Sequence, residues 1–222
     1  MEQHHFQLFH YEYFEYASLL VAIVCYKGLV RFSLEAFIPL LFVVCLIETL
    51  GDNYYLLGLT GSYPIYNFYF VAVTPFYLFL YRKMLLPTKS ERVIFDSISI
   101  LCMLFVLLNL FFIQGTKQFN SYSASLTEVL NVIFSGLILV RLVTVESRQT
   151  ILYGEPYFWI SSVNLLFNLV AFVLLGLLPF VISVGLKIGD KTLHQTILPP
   201  ASDILYSIYC YAFILCRIRK TS

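Results

Sequence analysis

Apolar residues fill long runs of this chain, and the runs are parted by short clusters of charge, proline and glycine. A helix needs about 20 residues to cross the hydrocarbon core of a bilayer. Seven runs meet or approach that length, at about 9–27, 33–51, 62–83, 93–113, 122–141, 156–180 and 197–217. They predict an all-α integral membrane protein: a seven-transmembrane-helix bundle forming one domain over 1–222, with connections near 27–32, 84–92 and 142–155. The sixth run is irregular. From Pro156 to Gly185 a single helix would measure about 45 Å, longer than the core is thick. A kink is expected at Gly176 and Pro179, because proline lacks a backbone donor and its ring clashes with the preceding turn.

The polar residues inside these runs follow helical spacing. Ser161, Asn164 and Asn168 recur at intervals of three and four, which places them on one face. Ser121, Ser125, Glu128, Asn131 and Ser135 make a longer polar face along the fifth run. Tyr63, Asn67 and Thr74 share a face of the third, and Asp203, Tyr206, Ser207 and Cys210 one of the seventh. Asn109 lies near the end of the fourth, Glu48 in the last turn of the second, and Glu12 and Glu15 in the first turns of the first.

Charge gives these faces a direction. With the N-terminus outside, the inner segments hold Lys27, Arg31, Arg82, Lys83, Lys89, Arg92, Arg141, Arg148, Arg217, Arg219 and Lys220, against Lys117, Lys187 and Lys191 outside. That asymmetry follows the positive-inside rule, and seven crossings leave the C-terminus cytoplasmic. The start, MEQHHFQ, lacks the basic region and cleavage site of a signal peptide, so the first span is expected to be retained. In this orientation Glu12, Glu15, Glu48, Asn67, Asn109, Glu128, Asn131 and Asp203 all fall in the outer halves of their spans.

The sequence therefore predicts an outward-facing polar cavity lined by Glu128, Asn131, Asp203, Asn67, Glu48, Asn109, Tyr63 and Tyr206. Ser161, Asn164 and Asn168 lie deeper, as helix packing at its floor or as part of a pathway beneath it. No Lys or Arg occupies the outer half of any span to pair the acids. Either the acids carry protons and bond to Asn and Tyr neighbours, or the cavity is wet and selects cations, amines or protons. The plainer reading of the amides is as bridges between helices, at about 0.6–2 kcal/mol each.

Composition narrows the chemistry. The chain of 222 residues is 59% hydrophobic and 12% charged, against roughly 25% charged in soluble domains. No lysine lies in the last span, so a retinal Schiff base is excluded. His4, His5, His10 and His194 stand outside the membrane core, and the five cysteines show neither zinc nor redox spacing, so no metal or cofactor is expected. No phosphate loop follows a strand and no nucleophile sits beside a base, which argues against an enzyme. The inner basic residues fit lipid headgroups without nucleic acid.

The segments ETLGDNYY, YPIYNFYF and EPYFWISSVNLLFNLVAF resemble motifs of a bacterial family of small seven-helix membrane proteins, similar to the membrane sensor modules that precede some histidine kinases. The resemblance covers about 48–172 and implies a seven-helix fold and a sensory role, without assigning any residue. After the last span only RIRKTS follows, so signalling is expected to run through a partner. The expected function is a receptor-like or sensory module of the inner (plasma) membrane. It would bind a small ligand, cation or proton in the outward-facing cavity and signal to a cytoplasmic or membrane partner. The alternative is a small transporter or ion channel, acting as a homo-oligomer. A parallel repeat of the first and last three spans, aligned on YLFLYRK and FILCRIRK, would favour it. An intramembrane enzyme ranks third.

Overall fold

A computed structural model of the chain describes residues 8–85, 89–146, 152–176, 178–185, 187–188 and 191–219. The MEQHHFQ start with His4 and His5, parts of the connections after Leu85 and Glu146, and the tail from Lys220 lie outside the described residues. The described chain is helical almost throughout. In order come α1 (His10–Val24), α2 (Tyr26–Arg31), α3 (Phe37–Asp52), α4 (Tyr63–Leu85), α5 (Lys89–Leu108), α6 (Ser121–Arg141), α7 (Pro156–Gly176), α8 (Leu178–Val184) and α9 (Leu193–Ile218). Lys187–Ile188 and Lys191–Thr192 pair antiparallel as a small hairpin before α9.

Among the described residues, four stretches are long and apolar enough to cross a membrane: Arg92–Ile113, Ser121–Thr144, Pro156–Gly176 and Leu193–Ile218. The other predicted spans are helical as well, but α1 and α3 have only 15 and 16 residues. The tyrosine-rich α4 is long enough, at 23 residues, but ends in Arg82 and Lys83.

Helix is described on both sides of the expected kink, as α7 up to Gly176 and α8 from Leu178, and the residue between them lies outside the described residues. α9 begins earlier than its prolines suggest. Thr192 and Gln195 cap it, with the Thr192 N–H donating to Gln195 Oε1 at 3.1 Å, so helix is already established before Pro199 and Pro200. α5 ends in a wide turn over Asn109–Ile113, where the Asn109 carbonyl accepts from the N–H groups of Gln114 and Gly115.

Six helices close a ring in the order α1, α3, α4, α6, α7, α9, and α9 returns against α1. α5 packs outside the ring, mainly on α4, and α2 lies on α9. Gly28 allows that last contact. A Cβ there would stand 2.6 Å from the Cys216 carbonyl oxygen and 2.8 Å from the Arg217 nitrogen, so only glycine lets the two backbones approach so closely.

Outward faces are apolar, with Ile94, Leu101, Phe112, Leu137, Leu166 and Ile204 all exposed. A soluble protein rarely exposes such continuous apolar surface, so these faces and the four long helices fit a membrane protein.

The helices alternate in direction, which gives the bundle two distinct ends. At one end α1, α4, α6 and α9 begin and α3, α5 and α7 finish; it carries Glu12, Glu48, Asp52 and Asp203 and is here called the acidic end. At the other lie Arg31, Lys83, Arg141 and Arg219, the basic end. The main apolar cluster fills the basic half with Leu29, Leu34, Phe37, Met84, Ile138 and Phe213. The Phe37 ring stands edge-on to both Tyr209, at 5.2 Å, and Phe213, at 5.3 Å.

Candidate functional site

At the acidic end the polar side chains of α1, α3 and α4 interlock. Glu12 is the third residue of α1 and accepts from the Phe9 N–H, while its own N–H donates to the Phe9 carbonyl at 3.2 Å. It also accepts from the Thr49 hydroxyl at 3.2 Å, and Thr49 in turn bonds the Tyr16 hydroxyl. Tyr11 donates to Asp52. The Tyr66 hydroxyl stands 3.0 Å from both Glu48 and Asp52, so one phenolic proton serves two carboxyl groups. Gly51 makes that reach possible, since a Cβ at this position would lie 2.7 Å from the Tyr66 ring.

Deeper in the ring, the Tyr69 hydroxyl comes within electrostatic reach of Glu48, Glu128 and Glu15. These acids sit on three different helices, so Tyr69 points into the ring. Glu15 is also close to Tyr206 of α9, and Glu128 to Tyr77 of α4. Glu15 and Glu128 are 2% and 6% exposed, and each has one carboxyl oxygen, Oε2, without a hydrogen-bond partner. Among the described residues no Lys or Arg forms an ion pair with Glu12, Glu15, Glu48, Asp52 or Glu128.

A layer of amides and hydroxyls lies beneath. Asn131 Nδ2 donates to Asn168 Oδ1 at 3.0 Å, joining α6 to α7, and Asn168 donates onward to the Asn164 carbonyl. The Tyr209 hydroxyl donates to Asn164 Oδ1 and so ties α9 to α7. Tyr81 and Ser135 bond at 3.1 Å, joining α4 to α6. Ser161, last in the stripe, is fully buried and its hydroxyl has no partner.

The remaining predicted residues lie elsewhere. Asn67 fastens the connection between α5 and α6: its Nδ2 donates to the carbonyls of Gln118 at 2.8 Å and Gly115 at 3.4 Å, and its Oδ1 accepts from the Asn120 N–H at 2.9 Å. Asn109 donates to Gln114 at 2.9 Å and Ser123 at 2.8 Å, closing the wide turn onto α6. Tyr63 is exposed, its ring 6.4 Å from that of Phe119. Asp203 faces His10 at 3.3 Å on the rim between α1 and α9.

Sequence reasoning missed Asp52, Tyr11, Tyr66, Tyr69 and Tyr77. A signal existed for three of them, because Tyr66, Tyr69 and Tyr77 lie at helical spacing on one side of α4.

At the basic end the acids have cations. Arg82 pairs with Asp96 at 2.7 Å, Lys83 with Glu35, and Arg219 with Glu155. Burial raises the Glu35 carboxyl, but the hydrogen bond and charge of Lys83 outweigh it and hold the group below its ordinary value. The PYFWI segment anchors the start of α7 here. Tyr157 donates to the Phe32 carbonyl, and Trp159 Nε1 to that of Tyr153 at 2.8 Å. An open cleft of about 470 Å³ between α3 and α4 is lined by Glu35, Ala36, Pro39, Pro75, Phe76 and Phe79. Its walls are apolar, and its one acid is already engaged by Lys83.

The ring therefore separates carboxyls and phenols without cations from closed ion pairs, across an apolar layer. No protein family, curated protein or solved structure matches this chain, and its function is argued from that separation.

Proposed function

We propose that the chain is a receptor-like sensory module of the plasma membrane, crossing it seven times with the acidic end outside. One observation carries the reading: among the described residues, buried acids without cations occupy one half of the bundle, and the other half is closed. The amide layer gives way to buried Leu34, Met84, Ile138, Leu142, Phe213 and Cys216. Beyond them the end is latched by Arg219, which bonds the Gly154 carbonyl at 3.0 Å, while its own carbonyl accepts from Arg31 at 2.9 Å. Acids gathered at one end and closed off from the other suit detection better than passage.

Seven crossings are supported by the ring. α1 lies between α9 and α3, and α3 lies between α1 and α4. Both short helices expose apolar side chains on the same outer surface as their long neighbours, Leu20 and Ile23 on α1 and Phe42 and Leu46 on α3. A partner at the basic end would read changes in the latch that joins α2, α7 and the end of α9.

Two measurements on the protein in proteoliposomes test the reading. Proton and potassium flux is expected to stay at the level of empty liposomes. Spin labels at Lys27 and Arg141 are expected to change separation when pH or cation is changed on the acidic side alone. The second reading, a transporter or channel, draws on the Asn131–Asn168–Asn164 row that continues below the acids. Flux abolished by both Glu128→Gln and Asn168→Leu would establish it in place of the first.

A further inference from the structure

We propose that the ring interior at the acidic end binds a small organic ammonium ion, held by the Glu128 carboxyl against the faces of Tyr69, Tyr77 and Tyr206, with Glu15 above. This deepens the sensory reading and rests on it for its consequence at the other end of the bundle, but its own grounds are local.

The first ground is the pair of orphan oxygens. Glu15 Oε2 and Glu128 Oε2 lack partners in residues that are 2% and 6% exposed. A buried carboxyl oxygen left unbonded is costly, and the cost is relieved by a donor that arrives with positive charge. The chain supplies none, since no Lys or Arg among the described residues pairs with either acid.

The second ground is the kind of cation. Among the described residues no three His, Cys, Asp or Glu side chains stand close enough to hold a metal ion. Calcium needs six to eight oxygen ligands and magnesium near-octahedral geometry. The interior offers instead separated carboxyls interleaved with phenol rings. That combination suits an alkylammonium, whose charge is spread over C–H surfaces attracted to aromatic faces.

The third ground is an aromatic side chain beside the acid. Tyr77 shares the buried face of α4 with Val73, Leu80, Tyr81 and Met84, yet is itself only partly buried. Glu128 and Tyr209 are its neighbours. Glu128→Gln and Tyr77→Phe are the fitting probes: the first removes the charge at nearly constant shape, the second keeps the aromatic face.

The test is thermal unfolding of the full-length protein in detergent, with tetramethylammonium chloride titrated against sodium chloride at matched ionic strength. Saturating tetramethylammonium is expected to raise Tm by about 2 °C or more over sodium. Glu128→Gln should weaken the half-saturation concentration by about tenfold or more. Tyr77→Phe should keep the response and Tyr77→Leu lose it. An equal response to sodium, a response that survives Glu128→Gln in protein of native helix content, or no response at all would each overturn the proposal. The same titration on the Lys27/Arg141 spin-labelled protein separates the two readings. Binding without any change in separation leaves the ammonium site standing and defeats the sensory reading. A change driven by pH alone, without an ammonium response, does the reverse.

Discussion

Two glycines separate backbone contact from mere helix composition. At Gly28 an added methyl meets the backbone of α9, which cannot move aside as a side chain would. Gly28→Ala is expected to destabilise by about 1–3 kcal/mol, the usual cost of overpacking. At Gly136, within α6, a Cβ meets nothing within 4 Å. Gly136→Ala should therefore stabilise by about 0.5–1 kcal/mol through helix propensity alone. Thermal unfolding of both variants in one detergent reads the opposite signs, and a destabilised Gly136→Ala would mean that this stretch of α6 is packed against something. The Lys83–Glu35 pair is a different residue-scale case. Because the Glu35 carboxyl lies below its ordinary value in the folded state, its contribution is present above the unfolded value and is lost as pH falls through the folded one. The difference in Tm between native protein and Glu35→Gln should be greatest near neutral pH and should close below about pH 4. About a third of each side chain is exposed, so the effect is screened and small.

Between elements, the amides act as fasteners with distinct jobs. Asn67 makes all its bonds to the backbone of the α5–α6 connection. Asn67→Leu should therefore speed amide hydrogen exchange over about 114–120 and leave the middle of α6 protected. If exchange rose equally along α6, Asn67 would be a core residue and not a loop clamp. Asn168→Leu breaks the α6–α7 bridge and should cost about 0.6–2 kcal/mol. The sequence foretold that Ser161, Asn164 and Asn168 share an inward face, because helical spacing is local information. It left open what they touch, because Asn131 and Tyr209 lie 37 and 45 residues away from their partners. Spacing puts Tyr66, Tyr69 and Tyr77 on one side of α4, but not inside the ring, since a membrane sequence with 17 tyrosines places many at the bilayer surface and nothing local tells an interfacial phenol from an interior one. Nor does spacing say that Asn67 and Asn109 serve a connection, because that depends on how the chain between α5 and α6 folds back.

For the whole molecule, the number of crossings decides what the acidic end faces. α1 and α3 measure only about 22–24 Å, short of a core of about 30 Å. Yet each is wedged between ring neighbours, and a bilayer thins around short helices at a cost of fractions of a kcal/mol per Å. Seven crossings put Lys27 of α2 and Leu57, after α3, on opposite sides of the membrane. If only the four long apolar stretches crossed, those two positions would lie on the same side. With the five native cysteines replaced, Lys27→Cys, Leu57→Cys, Lys117→Cys and Tyr153→Cys can each be treated with a membrane-impermeant maleimide on intact cells. Leu57→Cys and Lys117→Cys, at the acidic end, should label at once. Lys27→Cys and Tyr153→Cys should label only after permeabilisation. The reverse pattern would keep the seven crossings but turn the acids toward the cytoplasm, so that the ring would sample an internal signal. Labelling of Lys27→Cys and Leu57→Cys from the same side would remove α1 and α3 from the membrane. The carboxyls of Glu12, Glu15 and Glu48 would then stand in water or headgroups, where an acid needs no cation, and the ring would lose its reason to attract one.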